Sequence, residues 1–272
     1  MKKVFLLFCL SLLLTGTAFC APDIAVTGRM IRIENLAPGA GKKDTIVIKN
    51  RSQEPAEVKV YLKDYLMYAD GRTAFHEPGT DKRSNAGWIT LPSNRITIPP
   101  KSKYNLEYTI QAPKDADLTG SYWSILLLEP VLSNSPEKVK LEKNKIKAGF
   151  TTLYRYGVKL VSDIGDTGLR KLKFEKVKIR RWKTGRQELL IDLANSGERQ
   201  VLVKLKVEMY REGKLFKMMS DPGIRLFPGC SWRYSYLLKK FPAGAYRVIA
   251  VADCGDDGAF GAQYKLNLQP GK

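Results

Sequence analysis

Along most of this chain, apolar residues recur at every second position. From Lys103 to Ile110, Tyr104, Leu106, Tyr108 and Ile110 share one parity, and Lys103, Asn105, Glu107 and Thr109 share the other. A period of two puts successive side chains on opposite faces, which predicts a half-buried strand. The pattern returns at Val58, Val60 and Leu62, at Leu189, Ile191 and Leu193, and at Val201, Val203, Leu205 and Val207. Turn-forming stretches (APGAGKKD, NRSQEP, NSGE, REGK) separate the segments. Short alternating runs between regular turns predict an all-β chain folded as sandwiches or barrels. Helical spacing is hard to find.

Four segments depart from simple alternation. Ile24 and Val26 share one parity and Ile31 and Ile33 the other, with Gly28 between. A phase change at glycine predicts a bulge or kink, and a first strand able to pair with one sheet and then the other. A second slip falls near Glu175, between Leu172/Phe174 and Val177/Ile179. From Tyr122 to Leu128 nearly every residue is apolar. Both faces of that strand need cover, although an antiparallel sheet can leave one face wet. Finally, alternation runs unbroken from Ile146 to Leu160, far longer than a usual strand. The last two segments, joined by the charged stretch VLSNSPEKVKLEKNKIKAG, are expected to form a long hairpin at a sheet edge. An exposed apolar edge can add a partner's strand. Alternatively, the second half of the chain or a second copy covers it.

The ends change the picture. MKK, then VFLLFCLSLLL, then TGTAFCAP reads as a cleaved signal peptide over residues 1–20, so the mature protein is expected to be exported, with no transmembrane anchor. SDIGDTG reads as a linker, giving an N-terminal domain at 21–165 and a C-terminal domain at 166–272. Seven or eight short strands in the second half match an immunoglobulin-like count. Net charge is +19, of which Lys2 and Lys3 in the leader supply two. Between Arg170 and Arg186, nine Lys or Arg face one acid, Glu175; Lys178, Arg180, Arg181 and Lys183 form the centre of this basic patch. Such a field favours an anionic envelope component, and export argues against nucleic acid. It also fits simple solubility and edge protection.

Cys230 and Cys254 remain after the leader is removed. If 231–238 and 245–253 are consecutive antiparallel strands, both cysteines fall at one end of the domain, and a disulfide is expected. Chemistry is otherwise sparse. His76 is the single histidine, which denies a catalytic triad or a two-histidine metal site. Asp253, Asp256 and Asp257 read as a turn rather than a calcium loop. Asn50, in N-R-S, reads as a turn residue. The expectation is a non-enzymatic binding protein with no metal and no cofactor.

Three stretches carry a resemblance: NRSQEPAEVKVYLKD, WITLPSNRITIPP and IQAPKDADLTGSYW, with LYRYGVKL as the late strand. Residues 24–162 resemble the amino-terminal domain of PapD-like periplasmic chaperones. The resemblance implies two immunoglobulin-like sandwiches meeting at an angle like a boomerang, and a periplasmic location. It implies a secreted fibre subunit as partner, an outer-membrane assembly protein as a further one, and strand donation from the late strand. Two cations would then anchor the subunit's carboxylate through charge-assisted hydrogen bonds. The candidates are Arg29 or Arg32 in the first strand and Arg155 or Lys159 in the late one. The apolar donors would be Phe150, Tyr154, Tyr156 and Val158. The competing expectation is an envelope or surface module that binds anionic partners through the basic patch.

Overall fold

The computed structural model describes residues 22–114, 117–132 and 153–270. The signal peptide, Phe150 and the Ile146–Thr152 part of the long alternation lie outside the described residues.

The first sandwich contains β1 (Ile24–Thr27), β2 (Ile31–Leu36), β3 (Gly41–Asn50), β4 (Ala56–Met67), β5 (Thr73–His76), β6 (Ile89–Thr90), β7 (Arg95–Ile98), β8 (Lys103–Gln111), β9 (Gly120–Pro130) and β10 (Tyr156–Ile164). One sheet has the order β1-β3-β8-β6. The facing sheet runs β2-β10-β9-β4-β5, with β7 also on β4. The predicted alternations supply the core: Ile46 and Ile48, Val58 and Val60, Leu106 and Ile110, Leu126 and Leu128, and Val158 and Leu160. Asn50 is a buried turn residue. Its amide donates to the carbonyls of Glu54 (2.8 Å) and Ile98 (3.0 Å), and its Oδ1 accepts from Ser52 N–H.

The phase change at Gly28 is a change of sheet. β1 runs antiparallel to β3, while β2 runs parallel to β10 with Ile31 opposite Lys159 and Leu36 opposite Ile164. Gly28 makes the crossing at φ 97°, a conformation that side-chain-bearing residues rarely adopt.

The second sandwich contains β11 (Leu172–Arg181), β12 (Gln187–Asn195), β13 (Val201–Arg211), β14 (Lys214–Ser220), β15 (Ile224–Leu226), β16 (Ser231–Leu237), β17 (Gly244–Asp253) and β18 (Ala259–Leu268). Sheet β11-β12-β16 packs on sheet β14-β13-β17-β18, with β15 also on β13. The slip at Glu175 is a register shift against β12 between Phe174 and Lys176. REGK is the β13–β14 turn, with Glu212 and Gly213 both at positive φ. Asn195 repeats the role of Asn50, donating to the carbonyls of Arg199 (2.8 Å) and Leu226 (2.9 Å).

Two expectations are corrected. The β9–β10 hairpin is not a free edge, because β2 lies on β10 from Lys159 onward. Cys230 and Cys254 are buried free thiols. β16 and β17 follow one another in the chain but belong to facing sheets. Both cysteines do fall at one end of the second sandwich: Cys230 O accepts from Asn195 N–H, and Cys254 follows Asp253, which pairs with Lys204 near the start of β13. The Cys254 thiol faces the carbonyl of Ala252, and that of Cys230 faces Met67 and Lys159 across the junction with the first sandwich.

The sandwiches meet through a polar seam and one aromatic stack. Ser121 Oγ donates to Asp163 Oδ1 (2.5 Å) and accepts from Gln200 N–H (2.9 Å); Gln200 Nε2 reaches Asp163 Oδ2 (3.0 Å). Trp123 stacks on Phe227, with ring centroids 5.2 Å apart. Trp123, Met67 and Val161 of the first sandwich thereby join the apolar core of the second.

Candidate functional site

The doubly apolar strand β9 sends Leu126 and Leu128 into its own core and Trp123, Ile125 and Leu127 to the outer face of its sheet. Three things cover that outer face. The second sandwich takes Trp123. Gly157, opposite Leu127 on β10, leaves room for Ile125 and Leu127 to lean across: a Cβ there would stand 2.6 Å from Ile125 Cδ1. The side chains of β4 and β10 close the rim. Tyr61 Oη donates to Glu129 Oε2 (2.6 Å), which also meets Arg155 Nε (3.1 Å).

Lys159 stands on this face beside the junction. Its Nζ lies 4.8 Å from the ring centre of Tyr65 and 5.6 Å from that of Phe227. Both contacts are cation–π in type, a favourable but partial replacement for water. Among the described residues no carboxylate pairs with it. Burial pushes its ammonium below the ordinary lysine pKa, with the nearby Cys230 thiol acting the other way. The same burial pushes the Cys230 thiol up to about 11, which keeps it protonated at neutral pH. The Tyr65–Phe227 cage was not foreseen from the sequence. Its members come from opposite halves of the chain, and no local pattern marks them.

The other three anchor candidates differ. Arg32 is committed. Its Nη1 meets Asp44 Oδ2 at 2.5 Å, and that carboxylate also accepts from Tyr108 Oη (2.9 Å), while its Oδ1 accepts from Thr45 N–H. Burial alone would raise the Asp44 pKa, but the hydrogen bonds from Arg32, Thr45 and Tyr108 outweigh it and hold the pKa below the ordinary value. Arg32 thus ties β2 to the facing sheet and is not open to a partner. Arg155 is half-exposed and paired with Glu129. Arg29 is exposed, just past the crossing glycine, with no partner among the described residues.

The donor candidates also separate. Val158 is fully buried in the first sandwich's core, so it cannot enter a partner. Tyr156 is half-buried and donates to the carbonyl of Ile24 (2.9 Å). Tyr154, on the same parity but ahead of β10, is 72% exposed.

The β2 side of β10 is open over its first residues. Pairing starts at Lys159, whose N–H donates to Met30 O (2.9 Å), because upstream of Met30 the chain has crossed to the other sheet. Tyr156, Gly157 and Val158 are paired only to β9.

The basic patch is less free than its composition suggests. Arg180 and Arg186 share the carboxylate of Glu188, whose side chain is 3% exposed. The hydrogen bond from Arg180 leads the effects that hold the Glu188 pKa down. Lys178, Arg181 and Lys183 are exposed and have no acidic partner among the described residues.

No family model and no curated sequence matches the chain. Solved structures do. One is the Class 5 fimbriae chaperone CfaA, at TM-score 0.46 and 12% identity, covering 89% of this chain and 98% of that one. A chaperone–tip adhesin complex of CFA/I fimbriae biogenesis matches at 0.46 and 10%, with the same coverage. The CsuC–CsuE complex of the archaic Csu pili of Acinetobacter baumannii matches at 0.43 and 12%, over 89% of this chain and 97% of that chain. The chain is similar to fimbrial chaperones.

Proposed function

We propose that this chain is an exported, periplasmic chaperone that binds a secreted or fibre subunit by lending it an edge strand. The observation that carries the reading is the half-open strand β10. Its first residues lack a neighbour on one side because the chain changes sheet at Gly28, and an uncompensated cation, Lys159, stands where pairing resumes. An extended peptide laid along this edge gains main-chain hydrogen bonds from Tyr156–Val158. Its terminal carboxylate meets Lys159, with Arg29 as the second cation. Charge-assisted hydrogen bonds there supply the partner that the half-buried ammonium lacks. Tyr154, exposed ahead of the strand, and Phe150, on the same parity, are the side chains proposed to enter the subunit. We further propose that residues 21–165 carry this site and 166–272 support it, with the second sandwich contributing Phe227 to the lysine's cage.

The test is a pull-down from periplasmic extract with identification of the captured proteins. Lys159→Met and Tyr154→Asp, made separately, are expected to abolish capture of secreted subunits while circular dichroism shows the native fold. If both folded variants capture as wild type does, strand donation at this edge is wrong.

A further inference from the structure

The strand registers of the second sandwich divide its loops between two ends. At the Asn195 end of β12, the loop to β13 brings Glu198 and Gln200 against the first sandwich, and Ser231 at the start of β16 accepts from Ala69 N–H. The Gln187 end of β12 therefore points away from the first sandwich, and three connections gather there. The β11–β12 turn closes with Trp182 N–H donating to Arg186 O. The β16–β17 connection begins where Leu238 N–H donates to Gln187 O, and it exposes Lys239 and Lys240. The β13–β14 turn lies beside it, since Phe216 packs on Phe241 with centroids 5.1 Å apart.

This far end is basic and aromatic together. Lys183, Lys214, Lys239 and Lys240 are exposed with no acidic partner among the described residues. The acids nearby are spent: Glu188 on Arg180 and Arg186, and Glu212 on Arg211 (3.4 Å). Trp182 is 46% exposed and Phe216 42%. The Arg180 guanidinium lies 4.7 Å from the centre of the Trp182 ring and that of Arg186 5.9 Å away. The indole is thus half-exposed, with two guanidinium groups beside it.

The kind of partner follows from this layout. The four lysines sit on three separate turns and spread over one end, so they match a surface of many anionic groups better than one small anion. A guanidinium over the Trp182 ring takes up ring face that a sugar would stack on. A tryptophan with an apolar body and a polar edge, next to phenylalanine and lysines, suits the headgroup zone of a bilayer. Lysines near an anionic leaflet add attraction that salt screens. We propose that this end of the second sandwich docks on an anionic phospholipid surface, with Trp182 and Phe216 at headgroup depth and the lysines against the phosphates. The proposal uses none of the strand-lending residues and stands or falls apart from them.

The experiment is co-sedimentation of the mature protein with phosphatidylcholine vesicles, with and without phosphatidylglycerol. Binding is expected only with the anionic lipid and should weaken as salt rises. Each neutralised lysine should lower partitioning about fivefold, so Lys183→Ala/Lys239→Ala/Lys240→Ala should lose roughly 100-fold. Trp182→Ala should weaken binding with its salt dependence unchanged. A control of equal charge change on the first sandwich, Lys42→Ala/Lys43→Ala/Lys103→Ala, should stay within about twofold of wild type, as surface charges far from the membrane are screened. Equal loss in both triple variants would reduce the effect to net charge and overturn the proposal. So would binding indifferent to phosphatidylglycerol, displacement by free inorganic phosphate, or retention on an anionic polysaccharide without binding to vesicles.

Discussion

At Lys159, stability and the proposed function oppose each other. A half-buried ammonium without a carboxylate gives up part of its hydration for two aromatic faces, and its lowered pKa records that loss. The sign follows. Because the folded-state pKa lies below the unfolded one, the charge costs stability at neutral pH, and the cost fades only as pH rises through the folded value toward the unfolded one. Lys159→Met keeps the stem's packing and removes the charge. It is therefore expected to stabilise the free protein by about 1 kcal/mol while losing the partner. Urea unfolding of both proteins at neutral pH, and again well above pH 10, measures this: the gap should shrink at high pH. A variant less stable than wild type at neutral pH would mean that Lys159 is a structural residue. Single positions were legible in the sequence only where backbone chemistry is local. Gly28 and the Asn50 turn were read correctly because a phase change and an N-x-S turn are short-range signals. The commitment of Arg32 to Asp44 was not, since it depends on which strands face each other across the core.

At the scale of the element, alternation marked strands well and their neighbours poorly. The run from Ile146 to Leu160 reads as one uniform strand. Yet Val158 is buried, Tyr154 is exposed, and the described strand continues to Ile164. Parity gives the face of a side chain; the position of the neighbouring strand decides whether that face is wet. The same gap lies behind the expected disulfide: strand order places Cys230 and Cys254 at one end, but not where each thiol points from its own sheet. Strand β12 shows what pattern alone misses in the other direction. Glu188 lies on its outward side yet is almost fully covered, under Arg180 and Arg186. Its carboxyl pKa is held below 4.5, so this ion-paired cluster contributes stability above that pH and loses it as pH falls through the folded value. The thermal midpoint of the second sandwich is expected to drop on acidification below about pH 4.5, the ordinary glutamate range. Glu188→Gln should lower the midpoint at pH 7 and flatten the acid loss; an unchanged acid profile would remove Glu188 from the account.

For the molecule as a whole, the seam between the sandwiches rests on close backbone approach. Gly120 sits at φ 72°, and a Cβ there would lie 2.2 Å from the Glu198 carbonyl oxygen, while a Cβ on Gly168 would lie 2.4 Å from Gly120 Cα. A backbone atom cannot swing away as a side chain can. Gly120→Ala is therefore expected to cost more than about 2 kcal/mol. It should also part the Ser121–Asp163–Gln200 bonds, so that calorimetry resolves two transitions in place of a coupled one. A single unshifted transition would show that the seam tolerates the methyl group. None of this contact was visible in the sequence, where GSYW opens one strand and NSGE is a turn far along the chain.

The unfinished pairing of β10 also has a signature at one amide. Lys159 N–H points away from β9, toward Met30 O. Two residues earlier in the same strand, Gly157 N–H points the same way and meets no carbonyl among the described residues. Gly157 should therefore exchange its amide hydrogen with solvent quickly, beside slow neighbours at Val158 and Lys159. A strand laid on this edge would slow that one amide, and a ligand held elsewhere would leave it fast.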